Sequence, residues 1–193
     1  MIDNSVVIAA ATAAIVVLAV LLLWWWRRRR APSLLGALES VAIDQMRDIL
    51  VPDGMGGHIH VEHLLLTAQG LLLIEIKPFE GAVFASDRMD DWTVISKQGR
   101  FAFPNPQRAL YDRVAAVRQL LRDVPVTGYV MFPGAADFSK GRPKDILLPP
   151  ELLERYKKPD RNDIERLVEA FWPHWETVKS AVDTANNETL SAD

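Results

Sequence analysis

The stretch Leu71-Leu72-Leu73-Ile74-Glu75-Ile76-Lys77 reads as a buried β-strand that ends in a carboxylate and an amine. Side chains alternate across a strand, so Glu75 and Lys77 share one face while Leu72, Ile74 and Ile76 share the other. Ionised groups beside apolar surface are costly unless they are paired or bind an ion. The fold must therefore carry this strand to a place where something compensates its charges.

A second run, His58-Ile59-His60-Val61-Glu62-His63-Leu64-Leu65-Leu66, precedes it, and Thr67-Ala68-Gln69-Gly70 is the turn between them. Placing Leu66 opposite Leu71 sets Glu62 directly across from Glu75, and His60 across from Lys77. A two-residue loop at Ala68-Gln69 gives the same register, whereas an odd loop moves Glu62 to the other face. Directly opposed residues have Cβ atoms roughly 5 Å apart, where like charges destabilise a sheet. Two carboxylates held so close share a proton or bind a cation. A hard divalent ion such as Mg²⁺, which takes carboxylate oxygens and keeps several waters, suits that chemistry.

The N-terminal part has a different character. Val6 to Leu23 is apolar or small apart from Thr12, and is followed by Trp24-Trp25-Trp26 and Arg27-Arg28-Arg29-Arg30. About 20 apolar residues span a bilayer, and Trp marks its interface. A secretory signal carries its positive charge before the apolar run; here Asp3 stands in front and four arginines behind. The expectation is a membrane anchor through an N-terminal helix, with the remaining chain on the cytoplasmic side of the cell membrane. Setting aside Asp3 and the four arginines leaves 18 basic and 24 acidic residues, a net charge of −6. That excludes a globally basic nucleic-acid binder but not a local basic face. The absence of cysteine excludes disulfides and thiol catalysis.

Helical periodicity predicts a helix from Leu34 to about Leu50 capped by Ser33, then a loop over residues 52–57 and the hairpin. Strands are expected at 82–85 and 92–96. A helix capped by Asn105, with Pro106 at its first position, is expected to run to about Arg122. Strands at 126–132 and 145–148 and a helix from Pro149 to Tyr156 follow. A long helical pattern begins at Asp163 and is interrupted by Pro173, and residues 186–193 form a polar, frayed end. This order of elements predicts an α/β domain with a mixed sheet.

Each candidate site also has a plainer reading. Glu75 and Lys77 alone fit an ordinary cross-strand ion pair; the opposed Glu62 favours a metal-dependent phosphodiester site, because an ion pair needs one carboxylate and two are present. His58, His60 and His63 invite a structural zinc site, but no cysteine is available, and His60 fits better as a helper beside the carboxylates. Arg108, Arg118 and Arg122 fall opposite the Leu110, Val114, Val117 and Leu121 stripe, as phosphate contacts or as a solvated face.

The ordered set Val51-Pro52-Asp53-Gly54, His63-Leu64-Leu65-Leu66, Gly70 through Lys77, Gly81, Trp92 and Phe103-Pro104-Asn105-Pro106-Gln107 resembles the NERD (nuclease-related) domain family over roughly residues 33–133. That family is similar in fold to the PD-(D/E)XK restriction-endonuclease-like nucleases. The resemblance implies a restriction-endonuclease-like core, a mixed central sheet flanked by helices, preceded here by one transmembrane helix. It implies Glu62, Glu75 and Lys77 as catalytic residues: Glu62 and Glu75 as ligands of Mg²⁺ or Mn²⁺, and Lys77 as the water-activating group. Glu62 stands where the family has Asp. Glu39 would be an accessory acid on the first helix, and Gln107 an accessory group, although it follows Asn-Pro directly rather than a few residues beyond. The expected organisation is a tail at 1–4, a span at 5–26, a basic linker at 27–32, the nuclease-related domain at 33–158, a helical extension at 159–185 and a disordered tail at 186–193. The functions so implied are metal-dependent hydrolysis of DNA or RNA or, alternatively, a nucleic-acid- or protein-binding module that keeps the fold without turnover.

Overall fold

Ala68 and Gln69 make the tight turn the sequence predicts, and Gly70 follows at φ +108°. A Cβ on Gly70 would lie 2.3 Å from the Pro125 carbonyl oxygen, so only glycine fits both the conformation and the neighbour. The turn joins β2 (His58–Thr67) to β3 (Gly70–Ile76) as an antiparallel pair with Leu66 opposite Leu71, in the predicted register. The computed structural model describes residues 17–18, 34–121, 123–132, 136–157 and 161–192, without the side chains of 161–163 and 188–192. Residues Leu34–Asp193 make one compact unit.

That unit is a mixed α/β domain, as expected, but it contains two sheets rather than one. The first has the order β1-β2-β3-β7-β9, where β1 is Asp44–Pro52, β7 is Val126–Met131 and β9 is Ile146–Leu147. The β1-β2-β3 part is antiparallel, and β3, β7 and β9 are parallel. The second sheet has the order β6-β5-β4-β8, with β4 at Gly81–Phe84, β5 at Asp91–Ser96, β6 at Gly99–Pro104 and β8 at Ala136–Asp137. Among the described residues, four helices complete the unit: α1 (Leu34–Val41), α2 (Pro106–Leu120), α3 (Pro149–Arg155) and α4 (Arg161–Ala192).

Besides the short β8, which the sequence reading lacks, three elements depart from it. The predicted Leu34–Leu50 helix stops at Val41, and the rest of its span is β1. Ile49 and Val51 bury well in a strand, and the edge of β2 offers a full ladder that a helix there would leave unpaired. The β6 strand and the Lys97-Gln98 turn before it were not foreseen. Finally, α4 runs through Pro173 to Ala192 instead of breaking. Trp175, Val178 and Val182, just beyond the proline, are buried in the core, and this packing outweighs the lost backbone hydrogen bond.

Two apolar clusters cover the faces of the first sheet. Leu71 and Leu73 join a cluster with Leu110, Val114 and Val117 of α2 and Trp175 of α4. Leu72 and Ile74 join the other, with Leu38 of α1 and Leu152 of α3. The α2 stripe of Leu110, Val114, Val117 and Leu121 is buried as the periodicity predicts. Its contact with β7 is close: a Cβ on Gly128 would lie 2.5 Å from Val114 Cγ2. Val17 and Leu18 are helical; the rest of the predicted span at 5–26, like its flanks and Ser33, lies outside the described residues. Among the described residues, no helix is long and apolar enough to cross a membrane.

Asp44 ties α4 to the sheet. Its Oδ2 accepts from Trp175 Nε1 at 2.8 Å and pairs with Lys179 Nζ at 3.0 Å. Partial burial pushes its pKa up, but the hydrogen bonds from Trp175 and Lys179 outweigh this and hold it below the ordinary 3.8. A carboxyl depressed in the folded state stabilises above its unfolded pKa, and that contribution fades as pH falls through the folded value. Urea melts of the wild type and Asp44→Asn should therefore differ most near pH 6, with the gap closing as pH falls below 3.8; a gap independent of pH would contradict this role for Asp44.

Candidate active site

The site forms where β2 and β3 part. Their pairing ends at His63 opposite Ile74, one step before Glu62 would meet Glu75. Beyond that point β2 stays with β1 as far as His58 opposite Pro52, while β3 stays with β7 through Ile76 opposite Met131. Lys77 N continues this ladder to Met131 O at 2.9 Å. Glu62 also lacks a partner on its other side, since the β1 register skips Asp48, which has a left-handed φ of 50°. The core phase changes here too: Ile59 and Val61 pack in the same cluster as Leu64 and Leu66. Strict alternation would put these pairs on opposite faces, so the strand twists out of phase at Glu62-His63.

Side chains fill the split. Glu62 Oε2 accepts from the Ile76 backbone N–H at 2.8 Å, replacing the ladder that β2 has abandoned. The expected face-to-face pair of carboxylates is therefore corrected to a diagonal one: Glu62 reaches past Glu75 to the next amide. Glu75 continues the Leu71 and Leu73 face beneath α2, with its side chain 9% exposed. Lys77 Nζ lies 2.6 Å from its Oε1, and Arg113 Nη1 lies 3.1 Å from its Oε2. Arg113 Nε also donates to the His60 carbonyl oxygen at 2.6 Å, so one guanidinium from α2 joins both strands across the gap.

Arg113 is the residue that sequence reasoning missed. Its signal was its place on α2, three residues after Leu110 and four before Val117, at the edge of the buried stripe rather than opposite it. Arg113 reaches the sheet because Asn105 fixes the start of the helix. The Asn105 side chain accepts from Gln107 N at 2.9 Å and donates to Met89 O at 2.9 Å.

The other predicted residues lie in different surroundings. His60 faces Leu50, not Lys77; its ring pairs with Asp48 at 3.4 Å, and only its carbonyl reaches the cluster. Glu39 pairs with Arg47 at 3.1 Å on the surface. Gln107 is buried and donates to Asp87 Oδ1 at 2.8 Å and to Lys144 O at 2.9 Å, joining two loops rather than serving Glu75. Its hydrogen bond is the main force holding the Asp87 pKa below the carboxylate range, while burial pushes neighbouring Tyr111 up to about 12. Arg108 is paired with Asp90, and Arg118 donates to Val126 O at 2.6 Å, so these two do not form one open phosphate-binding face. Arg122 lies outside the described residues. His63 is buried with Nδ1 lacking a partner among the described residues, and burial holds its pKa below that of an ordinary imidazole.

No group of three or more His, Asp or Glu side chains that could hold a metal converges among the described residues, so the three histidines do not make the zinc site considered above. Oxygen donors are present in Glu62 and Glu75. Glu62 Oε1 is not used by the Ile76 amide and lies 4.0 Å from His63 Nε2, while the two Glu75 oxygens are held by Lys77 and Arg113. Two carboxylates of this kind suit a hard cation that keeps most of its waters.

These features define an α/β domain with an acid–lysine pair at the end of an inner strand, where two strands diverge. The nuclease-related domain (NERD) family profile matches residues 35–133, which include Glu62, Glu75, Lys77 and Arg113, and the chain belongs to this family. An uncharacterized protein of Bacillus anthracis is 22% identical over 88 residues, 46% of this chain and 42% of that protein, so the match spans less than half of the relative. No solved structure matches the chain.

Glu62 carries a structural duty that can be separated from its charge. Glu62→Gln keeps an oxygen acceptor for the Ile76 amide and should stay within about 0.5 kcal/mol of the wild type in urea unfolding, whereas Glu62→Ala should lose about 1 kcal/mol. Equal losses in both variants would show that the charge, not the hydrogen bond, matters to stability.

Proposed function

We propose that the chain is a membrane-anchored nuclease-related protein that hydrolyses nucleic-acid phosphodiester bonds with Mg²⁺ or Mn²⁺ held by Glu62 and Glu75. The observation that carries this reading is the 2.6 Å contact of Lys77 Nζ with Glu75 inside the parting of β2 and β3, with the Glu62 carboxylate turned into the same gap. The antiparallel β1-β2-β3 unit, followed by α2 and the parallel β7, supports the restriction-endonuclease-like core that the resemblance implies.

Glu75 and Glu62 supply the negative charge at the site; Glu75 is paired with Val130 of β7, and the residues on either side of Glu62 are paired with β1. A bound divalent ion would polarise the phosphate and make water a better nucleophile at neutral pH. Lys77, held on a paired strand end, presents its ammonium group where it can orient the attacking water and attract the phosphate. Arg113 supplies a second positive charge beside Glu75, local compensation for phosphate in a chain whose net charge is −3.

Full-length protein in detergent should cut DNA or RNA with Mg²⁺ or Mn²⁺ and stop in EDTA, and Lys77→Ala should reduce cutting to the EDTA level. Cutting by Lys77→Ala at the wild-type rate would remove Lys77 from the mechanism. The second reading, a binding module without turnover, is favoured by one observation: both Glu75 oxygens are already held by cations. On that reading, nucleic-acid or protein binding survives loss of both carboxylates and no metal-dependent cutting occurs.

The apolar run from Val6 to Leu23, with three Trp and four Arg after it, supports anchoring to the cell membrane with the domain on the cytoplasmic side. The full chain should stay in the membrane pellet after alkaline carbonate extraction, and a chain lacking residues 1–32 should be released. Release of both forms would contradict the anchor.

A further inference from the structure

Arg113 has a geometry that ordinary ion pairing does not require. Its Nε is fixed to the His60 carbonyl on β2 at 2.6 Å, and its Nη1 holds Glu75 Oε2 on β3 at 3.1 Å. The two attachments are independent, so Nη1 can leave Glu75 while Nε keeps the side chain anchored. Lys77 differs: among the described residues its ion pair is with Glu75, two residues away on the same chain segment. The cluster is also balanced in charge: Glu62 and Glu75 against Lys77 and Arg113. Adding a dication without releasing a cation leaves an excess of two positive charges in a partly dry gap, where repulsion is poorly screened.

We propose that Arg113 is the resident counter-cation of Glu75, and that a divalent ion binds at Glu62 and Glu75 only in competition with its guanidinium. This deepens the reading above and rests on its metal site. In the resting state Arg113 compensates Glu75 and closes the split, which keeps the domain folded without metal. When a divalent ion shares Glu75, Arg113 gives up Oε2, remains on His60 and points a free guanidinium edge into the gap. A phosphodiester is the partner such an edge fits, since a planar fork of N–H donors matches phosphate oxygens. Metal and nucleic acid then bind with positive coupling, because the phosphate restores the charge balance that the ion disturbs.

The test reads metal binding directly, by the electron paramagnetic resonance signal of free Mn²⁺ titrated against full-length protein in detergent. Arg113→Gln should bind Mn²⁺ at least about tenfold tighter than wild type, because removing a like charge beside an ionic site shifts its equilibrium by a decade or more. Arg113→Lys, which keeps the charge, should remain near wild type, and Glu75→Gln should abolish binding. Unchanged or weaker Mn²⁺ affinity in Arg113→Gln, or no binding in any variant, overturns the proposal. If Arg113→Gln does not fold, the Arg113 Nε–H resonance of the wild type, assigned by its loss in Arg113→Lys, decides the matter. Saturating Mg²⁺ should shift that resonance if Nη1 leaves Glu75, and an unmoved resonance overturns the proposal. Tighter Mn²⁺ binding in Arg113→Gln without any cutting of nucleic acid would sustain the counter-cation and defeat the nuclease reading.

Discussion

The parting of β2 and β3 is the constraint on which the candidate site depends. Two strands that are well paired through three Leu–Leu pairs cannot separate without leaving backbone groups that need partners. Here side chains fill the gap: the Glu62 carboxylate takes the Ile76 amide, and the Arg113 guanidinium takes the His60 carbonyl. The residues that repair the sheet are therefore the same ones that concentrate charge. A continuous ladder would have faced two carboxylates across a narrow distance. The split instead turns Glu62 to the Ile76 amide and leaves Glu75 to Lys77 and Arg113.

The rest of the domain holds that split open. On one side β7 and β9 extend the parallel half of the sheet, and Gly128 lets α2 approach closely enough for Arg113 to reach Glu75. On the other side β1 keeps β2 in place, while Asp44 links β1 to Trp175 and Lys179 of α4. The long C-terminal helix thus belongs to the support of the site, although it carries none of the charged residues in it. Asn105 and Gln107 connect the second sheet and its loops to the start of α2, which fixes where Arg113 begins its reach.

Much of this was legible locally. The Gly70 turn, the register of Leu66 opposite Leu71, the Asn105 cap and the α2 stripe all follow from short-range rules, because turn geometry and helical period are set within a few residues. Two of the readings that failed depended on packing partners rather than on local periodicity. Residues 44–50 look helical until β2 offers them an edge, and Pro173 looks like a break until Trp175 is seen in the core. Among the site residues, Glu75 and Lys77 were read as a pair and form one, whereas Glu39, Gln107, Arg108 and Arg118 are engaged with other groups.

By itself the sequence determined that a carboxylate and a lysine share one face of an inner strand, with a second carboxylate on the preceding strand of a hairpin. Strand alternation and a tight turn are enough for that. Only the tertiary structure decided that the strands part before the carboxylates meet, that the left-handed Asp48 leaves Glu62 without a partner in β1, and that Arg113 crosses from a helix to hold Glu75. Those outcomes depend on how β1, β7 and α2 compete for the two strands. Contacts at such separations in the chain leave no mark on local periodicity.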